Sequence, residues 1–146
     1  YLLDQLRQKL DYVQTLDAVR LMIKRWPQAW TKLVERKANG HALISMLNDN
    51  GVSGVMPVTP GSMSKEARAG SVAPIIRSGN AILPHPENPG YQWVETDYLD
   101  EASKFPNASN DDQVDATYYI LKHWFGNQGA QASDDIIEAI SGWYGE

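Results

Sequence analysis

Asn107-Ala108-Ser109-Asn110-Asp111-Asp112-Gln113-Val114-Asp115-Ala116-Thr117-Tyr118-Tyr119 puts three carboxylates where a helix should begin. Apolar Val114, Tyr118, Leu121 and Phe125 recur at spacings of four, three and four, which makes one buried stripe. Asn110 or Asp111 can cap this helix, because a side-chain oxygen there accepts an otherwise free N–H of the first turn. Acids in that turn are also favoured by the helix dipole. Asp112 and Asp115, three apart, share a face with ~4.5 Å between them along the axis. That spacing suits two oxygen ligands of one divalent cation, or ligands bridging a close pair. An acidic helix start needs no metal, so the spacing leaves both readings open.

Upstream of this stretch, Phe105-Pro106 ends a helix of mixed faces carrying Trp93, Val94, Asp97, Tyr98 and Glu101. His85-Pro86-Glu87-Asn88-Pro89-Gly90 reads as a surface loop. His85 is a weak ligand candidate, since no second histidine stands at a metal spacing nearby. Ala81-Ile82-Leu83-Pro84 predicts a short strand. Ser62 or Ser64 can cap a helix through Ala67, Val72, Ile75 and Ile76. Its opening turn holds Lys65 and Arg68, cations misplaced at a helix N-terminus unless an anion joins them. With the free N–H groups they can hold a DNA phosphate. Two exposed cations offset by Glu66 is the plainer account.

Further back, Val52 to Val58 predicts a strand, and Ala42, Leu43, Met46 and Leu47 a helix closed by Asn50-Gly51. Trp30 to Glu35 predicts another strand. Its last residue, Glu35, lies at a strand's carboxyl end, where open α/β sheets place their sites. Glu35 is either a metal ligand or a surface acid paired with Arg36 or Lys37. Thr15 can cap a helix along Leu16, Val19, Ile23 and Trp26, stopped by Pro27. Tyr1-Leu2-Leu3-Asp4 reads as strand from the first residue with no turn before it, which is expected of a segment of a longer protein. After Phe125 come Gly126-Asn127-Gln128-Gly129 and a short helix around Ile136, Ile137 and Ile140. The expectation is an α/β domain over residues 1–125, with an incomplete, mostly parallel or mixed sheet flanked by helices. Residues 126–146 are expected to be a linker and a short helix.

The bulk numbers narrow the function. The 146 residues, 42% of them hydrophobic, and a mean hydropathy of -0.43 describe a globular domain with apolar runs too short to span a bilayer. There is no cysteine, hence no disulfide and no thiolate metal site, which fits a reducing compartment. A formal charge of -5 argues against coating DNA through the net field. It argues less against a nuclease, which concentrates acid at its centre. No Gly-rich loop ends in Gly-Lys-Ser/Thr and no Gly-x-Ser-x-Gly elbow occurs, which removes the usual ATPase and acyl-transfer signatures. Two acids can serve a glycosidase, but no aromatic-lined groove is assignable. Hard carboxylates without thiols fit Mg²⁺ or Mn²⁺. A pair of such ions lowers the barrier to attack on an anionic phosphodiester. Glu35, Asp112 and Asp115 are candidate ligands of that kind. Asp111 ranks below Asp112, which pairs facially with Asp115.

Leu33-Val34-Glu35-Arg36-Lys37-Ala38-Asn39-Gly40, Lys65-Glu66-Ala67-Arg68, Gly79-Asn80-Ala81-Ile82-Leu83-Pro84, and Phe105-Pro106 with Asn110-Asp111-Asp112-Gln113-Val114-Asp115-Ala116 occur in that order. Over residues 1–124 this resembles the C-terminal nuclease domain of the large terminase subunit of tailed bacteriophages and prophages. The resemblance implies a ribonuclease-H-like fold and a metal-dependent endonuclease that cuts concatemeric viral DNA during packaging, in the bacterial host cytoplasm. It implies Mg²⁺ or Mn²⁺ as cofactor. The implied partners are double-stranded DNA, an ATPase motor domain, a small terminase subunit and the portal. By resemblance Glu35 matches the second metal-binding acid and Asp112 the acid of the closing motif, with Asp111 and Asp115 auxiliary. Lys65 and Arg68 match the family's basic helix start and, with Lys37, are the candidate DNA contacts.

Two departures accompany the likeness. The family's first catalytic aspartate lies on a strand before the segment matched by Tyr1-Leu2-Leu3-Asp4, and Asn110 stands where many relatives carry histidine. The expectation is a nuclease in the intact protein and a weakly active or inactive piece here. A non-catalytic prophage remnant or DNA-packaging interaction module is the alternative. Another is a different ribonuclease-H-like nuclease, such as a junction resolvase.

Overall fold

Asp11 and Gln14 exchange hydrogen bonds across the first turn of the first helix, the Gln14 N–H donating to Asp11 Oδ1 at 2.8 Å and the Asp11 N–H to Gln14 Oε1 at 3.0 Å. This reciprocal cap starts helix α1 at Tyr12–Arg25, ahead of the Thr15 start that the sequence predicts. Thr15 instead lies within the helix, its hydroxyl donating to the Asp11 carbonyl at 2.7 Å. The expected stripe faces inward, with Leu16 buried and Val19, Ile23 and Trp26 half-buried. The computed structural model describes residues 1–37 and 39–126. The expected tail helix therefore lies outside the described residues. Two compact units divide the chain, residues 4–62 and residues 1–3 with 63 onward.

In the first unit, strands β1 (Lys32–Glu35) and β2 (Val55–Val58) pair in parallel, with Lys32 opposite Val55 and Glu35 opposite Val58. Parallel neighbours need a crossover, and helix α2 (Gly40–Asp49) supplies it. Flanking N–H groups extend the ladder at both ends, from Lys32 to the Gly54 carbonyl and from Arg36 to the Val58 carbonyl, both at 2.8 Å. Leu47, only 1% exposed, is the most buried side chain of α2. Helices α1 and α2 are tied by the Tyr12 hydroxyl on the Ala42 carbonyl (3.2 Å) and Arg20 on Asn50 Oδ1 (3.1 Å). Asp4 accepts from the Trp26 indole N–H and from Arg25, both at 2.8 Å, which anchors the leading segment to the end of α1.

The second unit is helical. Helix α3 (Lys65–Arg77) is capped by Ser64, whose hydroxyl accepts the Ala67 N–H at 3.2 Å. A π-helical segment, Val94–Leu99, runs into α4 (Asp100–Lys104), and α5 spans Asp112–Phe125. Val72, Val94, Tyr118, Tyr119 and Leu121 are buried among these helices, with Tyr118 and Leu121 on the predicted α5 stripe. Two predicted strands do not form here. Residues 1–10 and 81–84 carry no strand, although the Leu2 N–H donates to the Ile82 carbonyl at 3.0 Å. Proline at 84 removes a donor and the turn at Gly79 shortens the run, so too few backbone groups remain for a ladder. The sheet is thus the parallel pair alone among the described residues, within an α/β architecture.

Candidate functional site

The first two turns of α5 are held from both sides by side chains of the same unit. On one side stands α3. Lys65 forms an ion pair with Asp111, and Arg68 one with Asp115. The Arg68 Nε–H reaches the same Asp115 oxygen at 3.2 Å, and its Nη1 donates to the Met63 carbonyl at 3.1 Å. The guanidinium carbon lies 5.7 Å from the centroid of the Tyr118 ring. Arg68 is 4% exposed, so the cation predicted to meet DNA is spent inside the unit on Asp115. Its pKa is raised by the hydrogen bond to Asp115, against the opposing effect of burial. Lys65 is more open, and the Asp111 carboxylate raises its pKa.

On the other side stand the π-helical segment and α4. Glu101, 3% exposed, accepts the Gln113 backbone N–H at 2.7 Å and the Val114 N–H at 3.3 Å on one oxygen. Its other oxygen accepts from Gln113 Nε2 at 2.8 Å. Gln113 Nε2 also donates to the Asp97 carbonyl at 3.3 Å, and the Tyr98 and Thr117 hydroxyls meet at 2.8 Å. The cap predicted at Asp111 does not form. Asp111 precedes the helix, but its side chain makes no capping bond. A carboxylate from the preceding helix does that work, satisfying first-turn N–H groups in a favourable dipole position. Twelve residues of sequence and a proline separate Glu101 from Gln113, so no spacing rule finds it.

Asp112 is exposed, and its side chain has no hydrogen bond or ion pair among the described residues, although its charge adds to those that raise the Lys65 pKa. It is the one carboxylate of the acidic stretch left open. The donors are hard oxygens suited to Mg²⁺ or Mn²⁺. Their arrangement does not fit a metal centre as it stands, because Asp111 and Asp115 are occupied by cations. Among the described residues no group of three or more histidines, aspartates and glutamates could hold a metal ion.

Glu35 belongs to the other unit. It is half-buried at the carboxyl end of β1, beside the start of α2. A Cβ on Gly40 would lie 1.8 Å from the Glu35 carbonyl oxygen, so this approach of α2 to the strand end requires glycine. The Gly40 N–H donates to the Lys37 carbonyl at 2.9 Å, which tightens the turn, and Lys37 itself is exposed. His85 sits in an exposed turn, its Nδ1 3.8 Å from a Glu87 carboxylate oxygen. No helix among the described residues is long and apolar enough to cross a membrane.

Comparison with known proteins gives one family. The sequence model described as the Terminase RNaseH-like domain matches residues 1–123. Neither a curated protein nor a solved structure matches the chain. The chain belongs to the terminase RNase H-like family, and its fold is the α/β fold of that class.

Proposed function

We propose that this member of the terminase RNase H-like family is a DNA endonuclease domain of a viral packaging machine, acting on concatemeric duplex DNA. The observation that supports this most is the start of α5. An exposed Asp112 stands there between two acids, and Lys65 opens the adjoining helix. In this reading Glu35 and Asp112 are the principal acids, Asp111 and Asp115 are auxiliary, and Mg²⁺ or Mn²⁺ is the cofactor. Such ions would supply an activated water and offset charge on the phosphate.

The chain's own residues divide the remaining tasks. Lys65 and Lys37 are exposed cations able to meet the DNA backbone. A phosphate reaching Lys65 competes with Asp111 for the ammonium and so loosens that ion pair. Arg68, being buried, serves as the fixed partner of Asp115 rather than as a phosphate contact. In the host the domain would work with an ATPase motor, a small terminase subunit and the portal, in the bacterial cytoplasm.

The test is Mn²⁺ binding by calorimetry together with plasmid cleavage. The nuclease reading requires that the intact protein bind Mn²⁺, that it nick DNA, and that Asp112→Asn and Glu35→Gln each reduce its cleavage about 10²-fold or more. An intact protein that neither binds Mn²⁺ nor cuts sinks it. Preference for four-way junctions over linear duplex would assign the domain to resolvases instead. The two cation-occupied acids favour a second reading, a non-catalytic packaging module. That module would bind DNA yet gain no cleavage when Mn²⁺ is added.

A further inference from the structure

We infer that Asn39 is a site of spontaneous deamidation, and that the fold shields the other Asn-Gly pair of α2, Asn50-Gly51, from the same reaction. Asparagine followed by glycine is open to this chemistry because a residue without Cβ leaves its amide nitrogen uncrowded. The glycine nitrogen bonds to the asparagine Cγ and the Cγ–Nδ2 bond breaks. The departing nitrogen takes the proton of the attacking amide and leaves as ammonia. Water then opens the cyclic imide. Cleavage at Cγ gives aspartate, and cleavage at the main-chain carbonyl gives isoaspartate.

The two pairs flank α2. Both asparagines are exposed, and their backbone angles are close, φ -78° and ψ -1° at Asn39 against φ -87° and ψ 10° at Asn50. Neither dipeptide nor backbone separates them; the side-chain bonds do. Asn39 makes no capping bond, and its amide has no hydrogen-bond partner among the described residues. The Asn50 amide is clamped, with Nδ2 donating to the Met46 carbonyl at 2.7 Å and Oδ1 accepting from Arg20 of α1 at 3.1 Å. Reaction requires ψ to turn until the next nitrogen faces Cγ. At Asn39 this releases the Gly40 N–H from the Lys37 carbonyl and the Leu43 N–H from the Asn39 carbonyl. At Asn50 it releases the Gly51 N–H from Asn48, the Val52 N–H from the carbonyl of buried Leu47, and both side-chain bonds as well. Two additional bonds lower the reactive population about tenfold or more. Reaction at Asn39 also has a structural consequence. Isoaspartate lengthens the main chain by one methylene immediately before Gly40, where α2 meets the Glu35 carbonyl with no room for a Cβ.

The experiment incubates the full chain at mildly alkaline pH, both folded and in urea. Peptide mapping by mass spectrometry follows aspartate and isoaspartate at the two positions, and melting temperature confirms the folded samples. In the folded chain Asn39 converts about tenfold faster than Asn50, or more. In urea the two rates come within about twofold, because the bonds that distinguish them are gone. Arg20→Ala, a change at an exposed side chain, frees Asn50 Oδ1. It speeds conversion at Asn50 about threefold or more in the folded chain and leaves Asn39 unchanged. The isoaspartate-bearing fraction melts below the unmodified chain. Folded-state rates that are equal or favour Asn50 overturn the inference, as does a preference for Asn39 that persists in urea. An Asn39 that stays intact when folded but converts in urea overturns it too. So does an Asn50 rate that Arg20→Ala does not move.

Discussion

The β1–α2–β2 unit and the α3–α5 helix pair each present a candidate acid, and they place it by opposite means. Glu35 is set by backbone. It ends a paired strand, Val58 stands opposite in register, and Gly40 lets α2 close onto its carbonyl. The α5 acids are set by side chains far away in sequence. Lys65 and Asp111 are 46 residues apart, and Arg68 and Asp115 are 47 apart. Backbone placement is rigid because it costs little entropy once the ladder forms. Side-chain placement at Lys65 is reversible because its exposed ammonium can exchange one anion for another. The contrast teaches that presence of an acid at the expected position does not decide its availability. Asp112 is open, whereas Asp111 and Asp115 are already engaged.

The sharpest way to break this comparison is to remove one partner of the buried pair. Asp115→Ala leaves the Arg68 guanidinium, with a side chain 5% exposed, uncompensated. A loss of ~3–5 kcal/mol is expected in urea unfolding, far beyond a surface ion pair. A loss under 1 kcal/mol would mean that Arg68 finds water or another anion. Next comes the backbone device. Gly40→Ala puts a Cβ against the Glu35 carbonyl oxygen and should cost ~1–3 kcal/mol, with β1–β2 amides exchanging faster. If stability holds, α2 adjusts freely and Glu35 is not locked by that contact.

A smaller, pH-dependent effect is expected at Asp4. Burial opposes its charge, but the Trp26 indole, Arg25 and the Gln5 backbone outweigh it and hold the pKa below the usual carboxylate value. A depressed folded-state pKa contributes stability above pH ~4 that is lost as pH falls through the folded value. Asp4→Asn should therefore be less stable than the parent at pH 7, and the difference should shrink as pH drops below ~4. A gap that widens on acidification would contradict this. The smallest effect is at Asp17, whose pair with Arg20 is exposed on both sides. Asp17→Asn should shift stability by no more than ~0.5 kcal/mol.

Much of the first unit was legible in the sequence. Leu16, Val19, Ile23 and Trp26 marked the face of α1, and the run ending in Glu35 marked β1, because burial repeats with the period of each element. The cap of α1 was misplaced from Asp11 to Thr15, since several polar residues near a helix start satisfy the same rule. Strands at residues 1–4 and 81–84 were expected from apolar content, which does not supply ladder partners. At the site, the acids and the basic helix start were visible, and so was the family pattern that links them. The burial of Arg68 and the cap from Glu101 were not.

By itself the sequence determined the α/β class, the amphipathic faces, and an acidic helix start opened by Asp111 and Asp112. Those properties follow from periodicity and local hydrogen bonding, which act over a few residues. Only the tertiary structure decided that Asp111 goes to Lys65, that Asp115 goes to Arg68, and that Glu101 caps α5 in their place. Several donors and acceptors of the same chemistry compete for these roles. The choice falls to whichever the packed helices bring within ~3 Å, a distance that no local pattern encodes.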